Sequence, residues 1–433
     1  MLNIYDYQGK EFTCPECGEL HRLPIKKVSA SPNAISEINQ FLQSVPVEGK
    51  KVLILCDNIT VEIAGNKLEA ELKQNYQTKM LVLKPLGYKA VHAEEAYFPS
   101  IIEAASDCDF ILTVGTGSVT DMGKHSGTVL NIPVVSFPTA PSMNAYTSTV
   151  AAYIAGGVKQ TNVIKPCVAV TIDKKINAEA PMILIQAGFA DSLAKAFANG
   201  DWKVNSILAG ESYCGLPMQI SGNSERMYKD KGDLIQARDL DVIEALMEGL
   251  TMGGFSMVLA GKSSPASGGE HLISHSLDMY AHRHHQEVFS YHGIQVGMGY
   301  LFTALVSERL RTIKSPVLAK IDHEAEIKKY FGDEAPKFTK AYAQKAAAMN
   351  EIPAKWEQLH EVVSQIPTYE EMKGYLTKAG CPVNFKDINV SEELAHYIVR
   401  SARYIRNRIT VLDLADELGV LDDIFQQNKY RIL

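Results

Sequence analysis

The sequence lacks long apolar runs and carries no strong excess of charge. No apolar stretch among its 433 residues approaches the roughly 20 residues that a membrane-spanning helix needs. The N-terminus, MLNIYDYQGKEF, has no apolar signal-peptide core. The formal net charge is −7, which argues against non-specific binding to nucleic acid or to an anionic membrane surface. We therefore expect a cytoplasmic protein without nucleic-acid or membrane partners.

Cysteine is scarce, with seven residues in all, and free thiols in a reducing cytoplasm are the simplest interpretation. Two of the cysteines, Cys14 and Cys17, form a C-x-x-C knuckle in CPECGELH, and His21 follows four residues later. Such a knuckle can hold zinc, but a structural zinc site needs four ligands and the chain has no second C-x-x-C. The alternative is a plain β-turn at Pro15–Gly18 in an N-terminal hairpin.

Apolar runs alternate with helical patterns in the first part of the chain. Short runs at 51–56, 79–85, 109–117 and 132–138 predict four buried strands, and their alternation with helices predicts a parallel, doubly wound sheet. After about residue 180 the patterns are helical, including one long helical pattern over 391–419. We predict a Rossmann-like α/β dinucleotide-binding domain over residues 1–180, with a hairpin over 1–30, and an all-α domain over residues 181–433.

Two polar loops follow neighbouring predicted strands, where ligands bind in sheets of this class. VGTGSVTDMGKHSG turns from strand to helix, and its glycines let a phosphate approach the backbone. A tight structural turn is the alternative, because Thr120 replaces the third glycine of the G-x-G-x-x-G fingerprint. FPTAPSMNAYTS adds hydroxyl groups, and its Asn144 is expected to face the substrate. The predicted cofactor residues are Asp57, Gly115, Gly117, Ser118, Asp121, Thr139 and Ser142.

Six of the twelve histidines lie between His271 and His292. SGGE, at 267–270, is a capping-box pattern that predicts a helix start and places His271 and His275 on one helix face. His271, His292 and Asp191 of AGFADSLAK form a candidate metal site, because one aspartate and two histidines leave positions open for water and substrate. Packing at a helix N-terminus is the alternative. AHRHHQE, at 281–287, is interpreted as a solvated face.

The motifs GTGSVTD, FPTAPSM, GFADSLAK, SGGEHLISH and YHGIQVG occur in this order. They resemble the superfamily of iron-dependent alcohol dehydrogenases, glycerol dehydrogenases and dehydroquinate synthases. PTAPSM, GGEHLISH and ARYIRNRITVLDLADELG are most similar to its bacterial glycerol-1-phosphate dehydrogenase branch, the AraM type. The resemblance implies a dehydroquinate synthase-like fold, a homodimer and NAD or NADP as cofactor. It also implies a divalent metal (zinc, nickel or iron) on Asp191, His271 and His292, with His275 near the reacting carbon.

The reaction that the resemblance implies is the reversible reduction of dihydroxyacetone phosphate, a small phosphorylated substrate, to sn-glycerol 1-phosphate. Two positions depart from the family pattern: Asn144 stands where aspartate is usual, and Ser264 where many relatives carry a basic residue. These departures leave the identity of the substrate undecided. A polyol dehydrogenase, a cyclising synthase and a catalytically altered paralogue therefore remain alternatives. The serine-rich KSSPASGG, at 262–269, is a candidate phosphate site, with a plain loop as the alternative.

Overall fold

A computed structural model describes residues 4–433 of the chain, with a parallel sheet in the first part and helices in the second. The strands are β1 (Lys10–Thr13), β2 (Leu20–Leu23), β3 (Lys27–Ser31), β4 (Lys51–Asp57), β5 (Gln77–Leu83), β6 (Phe110–Gly115), β7 (Val134–Pro138), β8 (Val150–Ala155), β9 (Val158–Val163) and β10 (Ala169–Asp173). The helices are α1 (Ile38–Gln43), α2 (Asn66–Leu72), α3 (Phe98–Ala105), α4 (Gly117–Leu130), α5 (Lys174–Glu179), α6 (Met182–Leu193), α7 (Lys195–Ala209), α8 (Leu216–Glu225), α9 (Gly232–Gln236), α10 (Leu240–Ala260), α11 (Gly269–Arg283), α12 (His292–Arg311), α13 (His323–Phe331), α14 (Ala335–Met349), α15 (Trp356–Ser364), α16 (Tyr369–Lys378), α17 (Glu392–Ser401), α18 (Val411–Glu417) and α19 (Leu421–Ile432).

The central sheet has six parallel strands in the order β3-β10-β7-β6-β4-β5. Its strands are continuous apolar runs because both faces are covered by helices, as parallel sheets require. Val52 and Ile54 of β4 belong to the apolar cluster that includes Leu68 of α2. Leu53 of the same strand faces the opposite cluster, which includes Met122 of α4. The doubly wound α/β sheet followed by helices confirms the predicted fold class.

The sequence predicts only four of the six sheet strands. β3 and β10 are absent from that prediction, and so are β8 and β9, which form an antiparallel hairpin. β3 reads KVSAS and β9 reads VKQTNV, and neither strand is fully buried. Their polar residues remove the continuous apolar run by which a buried parallel strand is identified.

The helical part is organised around α10, which runs for 21 residues. Although the sequence shows no uninterrupted apolar run of such length, this helix is long and apolar enough to cross a membrane by length and composition; 83% of its apolar window is buried inside the protein. Asp239 caps its start by accepting a hydrogen bond from the Val242 amide, and Gly261, in the left-handed region, ends it. The hairpin of β1 and β2 packs against this helix, with Leu23 and Phe255 in one apolar cluster.

The single helical pattern predicted over 391–419 is wrong. α17 ends at Ser401, a short 3₁₀ turn covers Ala402–Ile405, and irregular chain precedes α18. A capping box made by Thr410 and Asp413 starts the new helix. The buried guanidinium of Arg403 forms ion pairs with Asp413, Asp416 and Glu417. We call residues 406–410 the arginine segment, because this break frees Arg406 and Arg408 from the helical pattern.

Candidate active site

Three helices bring the predicted metal ligands together. Asp191 lies on α6, His271 on α11, and His292 is the first residue of α12. One donor atom from each lies within 4.8 Å of those of the other two. Nε2 of His271 is 3.5 Å from Oδ1 of Asp191, and Nε2 of His292 is 3.9 Å from the same oxygen.

Glycines permit the close helix contacts on which this geometry depends. A Cβ atom at Gly293 would lie 1.9 Å from the carbonyl oxygen of Ala187 and 3.0 Å from Cβ of Asp191. A Cβ atom at Gly188 would lie 1.6 Å from the carbonyl oxygen of Pro141. The α6 backbone therefore touches both the start of α12 and the polar loop after β7.

The Asp–His–His set fits a divalent cation. The side chain of Asp191 is 1% exposed, and neither carboxylate oxygen has a well-formed hydrogen bond to any described residue. A buried carboxylate of this kind is costly unless a cation compensates it. Nδ1 of His271 is 2.9 Å from Oε1 of Glu270, and Nδ1 of His292 is 3.2 Å from Oγ of Ser274. These contacts turn the Nε2 atoms towards Asp191, as partners of metal-binding histidines do.

The site holds its three groups in different protonation states. Burial, assisted by the charge of His271, lowers the pKa of His292 to about 4. Burial also acts to lower the pKa of His271, but the carboxylates of Asp191 and Glu270 outweigh it and raise that pKa to about 9. Burial opposes ionisation of Asp191, yet its interaction with His271 lowers the pKa of the carboxyl group. A metal ion must therefore displace one proton, from His271.

His275 and Asn144, the two residues predicted to act on the substrate, lie beside this set. Both line a cavity of about 110 Å³ together with His271 and His292. The ring centroid of His275 is 6.1 Å from that of His271 and 5.8 Å from that of His292. Burial and then the charge of Arg406 lower the pKa of His275 well below its usual value, so the ring is neutral. Its Nδ1 has no hydrogen-bond partner among the residues that the structure describes.

A larger cavity of about 530 Å³ lies at the carboxyl ends of β4, β6 and β7. Gly117, Ser118 and His292 line both cavities, which places the predicted cofactor site next to the metal donors. The predicted cofactor residues in its wall are Asp57, Gly117, Ser118, Thr139 and Ser142.

Asp57 and Gly115 also form hydrogen bonds with backbone amides of the loops at this edge of the sheet. Oδ1 of Asp57 accepts from the amides of Ile59 and Thr60 at 2.9 and 2.7 Å, which holds the turn after β4. Gly115 lies outside the larger cavity wall, and its carbonyl accepts from the Thr139 amide at 3.2 Å.

Asp121 also lies outside the larger cavity wall, although it lines the smaller one. Its carboxylate forms an ion pair of 2.9 Å with buried Lys124 and accepts from the Ala152 amide at 3.0 Å. Asp121 thus joins α4 to β8, and it shares the wall of the smaller cavity with Gly117 and Ser118.

Two local predictions at the histidine cluster have different outcomes. α11 begins at Gly269 with Gly268 as its N-cap, so the predicted cap at Ser267 is wrong by one residue. Glu270 still reaches back, and its Oε1 accepts from the Gly268 amide at 2.7 Å. In AHRHHQE, His284 and His285 are exposed, whereas His282 is half-buried and lines the larger cavity.

Sequence reasoning missed three basic residues near the smaller cavity. Lys159 of β9 lines both cavities and forms an ion pair of 3.3 Å with Asp278. Arg406 donates to the carbonyl oxygen of Lys159 at 2.7 Å and to Oγ1 of Thr161 at 3.1 Å. The alternation of arginines in RYIRNR was the only local signal, and the helical interpretation of this segment concealed it.

Arg408 brings positive charge to the serine-rich loop. It donates to Oγ of Ser263 at 3.1 Å and to the carbonyl oxygen of Ser267. Both serines line the smaller cavity. A guanidinium thus stands near Ser264, where the sequence lacks the expected basic residue.

Arg406 is a half-buried cation on which no acidic group among the described residues acts. Burial, with the neighbouring charge of Arg408, lowers its pKa to about 10, and no acidic group among the described residues acts in the opposite direction. Guanidinium groups in such surroundings are suited to phosphate or carboxylate ligands, because their planar donors match two anionic oxygens.

Comparison with known proteins finds relatives of this chain among dehydrogenases. Residues 29–181 match the family model described as iron-containing alcohol dehydrogenase. The chain is 29% identical over 424 residues to a glycerol-1-phosphate dehydrogenase (NAD(P)+) of Bacillus licheniformis, covering 97% of this chain and 96% of that protein. It is 31% identical over 287 residues to the enzyme of the same name from Thermococcus sibiricus, covering 64% and 78%. A probable glycerol dehydrogenase from Sinorhizobium meliloti shares the fold, with a TM-score of 0.62 at 15% identity over 93% of this chain and 97% of that chain.

Proposed function

The chain belongs to the glycerol-1-phosphate dehydrogenase family of the iron-containing alcohol dehydrogenases, and we propose that it reversibly reduces dihydroxyacetone phosphate to sn-glycerol 1-phosphate with NADH or NADPH. One observation carries this proposal: His271 and His292 of the metal-donor set line the same cavity as Lys159, to whose carbonyl oxygen Arg406 donates. The metal-donor set suits an ion that binds a carbonyl oxygen, and the two cations, Lys159 and Arg406, suit a phosphate.

Asp191, His271 and His292 would hold one divalent ion, which is zinc, nickel or iron. When bound, such an ion polarises the substrate carbonyl and stabilises the negative charge that develops on its oxygen. Three protein donors leave positions for the substrate. Glu270 and Ser274 keep the two imidazole rings in the orientation that this role needs.

NAD or NADP would lie in the larger cavity. Gly117 and Ser118 open α4, where backbone N–H groups face a pyrophosphate favourably. Thr139 and Ser142 add hydroxyl groups to the wall, and Asp57 ends β4 where a ribose hydroxyl would be accepted. When bound, the nicotinamide supplies or accepts the hydride.

The substrate would occupy the smaller cavity. The neutral ring of His275 is placed to pass a proton to or from the substrate oxygen. The amide of Asn144 can both donate to and accept from a substrate hydroxyl, although it lacks the charge of the usual aspartate. Arg406 and Lys159 would hold the phosphate, with Arg408 orienting the serine-rich loop.

The test is an NAD(P)H oxidation assay on metal-stripped protein that is resupplied with zinc, nickel or iron in turn. Dihydroxyacetone phosphate should be reduced to sn-glycerol 1-phosphate and not to its enantiomer. A clear preference for unphosphorylated polyols would contradict the proposal and favour a polyol dehydrogenase. Nucleotide binding without turnover would indicate a catalytically altered paralogue, and conversion of a substrate without net use of cofactor would indicate a cyclising synthase.

We also propose that the protein is a cytoplasmic homodimer with no nucleic-acid or membrane partner. All seven cysteines are free, which suits a reducing compartment. The homodimer rests on the family resemblance. Light scattering of the purified protein tests it, and a monomer at micromolar concentration would contradict it.

A further inference from the structure

A second group of metal-type donors lies at the tip of the N-terminal hairpin, separate from the active-site residues. Cys14 and Cys17 occupy the turn between β1 and β2, and His21 lies on β2. Cys214 comes from the connection between α7 and α8, 193 residues beyond His21. All four donor atoms lie within 4.8 Å of one another. The structure thus supplies the fourth ligand that the sequence pattern lacks.

Three of the distances within this group match those of a tetrahedral zinc site. Sγ of Cys14 is 3.6 Å from Sγ of Cys214, and Nε2 of His21 is 3.5 Å from Sγ of both Cys17 and Cys214. Zinc–sulfur bonds of about 2.3 Å and zinc–nitrogen bonds of about 2.0 Å, at tetrahedral angles, place two sulfurs about 3.8 Å apart and a sulfur and a nitrogen about 3.5 Å apart. A disulfide requires about 2.0 Å between sulfurs, so the cysteines are thiols.

The knuckle is shaped to present its sulfurs inward. Gly18 adopts φ of +76°, and its amide donates to the Cys14 carbonyl at 3.0 Å, which closes the turn. The Glu16 amide donates to Sγ of Cys14 at 3.4 Å, a contact that stabilises negative charge on a thiolate. Cys14 is buried and Cys17 is half-buried.

The partners of the knuckle are equally enclosed. Cys214 is buried, and so is His21, whose ring also hydrogen-bonds the backbone of Leu259. A second-sphere contact of this kind orients a metal-binding histidine. Three ligand-type side chains of the hairpin and one from the connection between α7 and α8 therefore converge in a largely buried space.

We propose that Cys14, Cys17, His21 and Cys214 bind one structural zinc ion. Four protein ligands complete a tetrahedron and leave no position for a substrate, which distinguishes this site from the Asp–His–His set. Thiolate ligands in tetrahedral geometry select zinc over ions that prefer oxygen.

This ion would fasten the hairpin to the helical part of the protein. The hairpin already packs there through Leu23, in one apolar cluster with Trp202 and Leu216. The connection that carries Cys214 also carries Glu211, whose Oε1 accepts from Ser264 at 2.7 Å. The zinc would thus brace, through this connection, the serine-rich loop beside the smaller cavity.

The experiment measures zinc per chain in full-length protein, purified without chelator and supplied with zinc. His271→Ala removes a donor of the active site only, and Cys108→Ser serves as the control, because Cys108 belongs to neither donor group. We expect one tightly held zinc in His271→Ala, retained in Cys108→Ser/His271→Ala and lost in Cys214→Ser/His271→Ala. Cobalt in His271→Ala protein should show a sulfur-to-cobalt charge-transfer band that disappears with Cys214→Ser.

A further variant and a thiol titration keep the test decisive if Cys214→Ser fails to fold. Cys17→His preserves four zinc-type donors and should keep the ion. Titration of the unaltered thiols with a mercurial should release one zinc per chain to a metal-sensitive dye. Absence of zinc from His271→Ala, equal zinc with and without Cys214, or a Cys14–Cys214 disulfide in the native protein would each overturn the proposal.

Discussion

Replacing Arg406 by alanine should impair recognition of the substrate phosphate specifically. The side chain is half-buried, no acidic group among the described residues acts on it, and its two hydrogen bonds to β9 leave other donors on the guanidinium for a ligand. Hydrogen bonds to charged groups contribute about 1.5–3 kcal/mol net. Loss of one such interaction should therefore lower kcat/KM for dihydroxyacetone phosphate by about 10- to 150-fold.

The assay compares two substrates on each enzyme. kcat/KM is measured for the unaltered protein and for Arg406→Ala, with dihydroxyacetone phosphate and with dihydroxyacetone. The loss should be confined to the phosphorylated substrate, and Arg406→Lys, which keeps the charge, should recover part of it. Asn407→Ala is the matched control, since its side chain donates instead to Gln344, at 2.7 Å.

An equal loss on both substrates would refute this reasoning. It would mean that Arg406 acts through its hydrogen bonds to Lys159 and Thr161, by holding β9 in place. Unchanged kinetics on both substrates would equally exclude a role in binding phosphate. The two-substrate design separates these outcomes. Only a direct contact between Arg406 and the phosphate makes the loss of kcat/KM depend on whether the substrate carries that phosphate.

Three further predictions concern the metal site. His271→Ala should lose the bound active-site metal and metal-dependent NAD(P)H oxidation; full metal content and activity would contradict the ligand assignment. The affinity of the active site for its metal ion, measured on metal-stripped protein by competition with a chelating dye, should rise about tenfold per pH unit from about pH 7 to 9. The reason is that burial acts to lower the pKa of His271 but Asp191 and Glu270 raise it to about 9, so one proton must leave; a flat profile would argue against this. Gly293→Ala should lower the free energy of unfolding by about 1–3 kcal/mol and weaken metal binding, because the new Cβ would overlap the carbonyl of Ala187. Unchanged denaturant unfolding and metal affinity would show that the helices separate without strain.

The parts of the fold that the sequence predicts are those with a strong local pattern. β4 and β6 are continuous apolar runs because helices cover both faces of the sheet, so their positions could be predicted from KVLILC and DFILTVG. β3 is short and pairs with β10, far along the chain, and β9 is polar although it pairs with the adjacent β8. Local periodicity therefore carries little information about them.

The functional residues divide in the same way, into those with a local sequence signal and those that depend on long-range contacts. His271 and Asp191 stand in motifs whose order is recognisable, so the sequence predicts their convergence. Cys214 has no local signal, since its partners precede it by about 200 residues. Arg406 follows the helix break at which buried Arg403 forms its three ion pairs, and no sequence window shows these contacts.

The buried ion pairs of Arg403, together with Lys345, fix the conformation of the chain that carries Arg406. Nζ of Lys345 donates to the carbonyl oxygens of Arg403 and Arg408 at 2.6 and 3.2 Å, and to Asp413 at 2.7 Å. The arginine segment is thus fixed from both ends before any ligand arrives. A flexible loop would lose conformational entropy on closing around a phosphate, which weakens affinity. In this protein that entropy is lost during folding, so the phosphate site proposed at Arg406 would be preorganised. It would therefore discriminate against a substrate whose phosphate stands at a different distance from the metal.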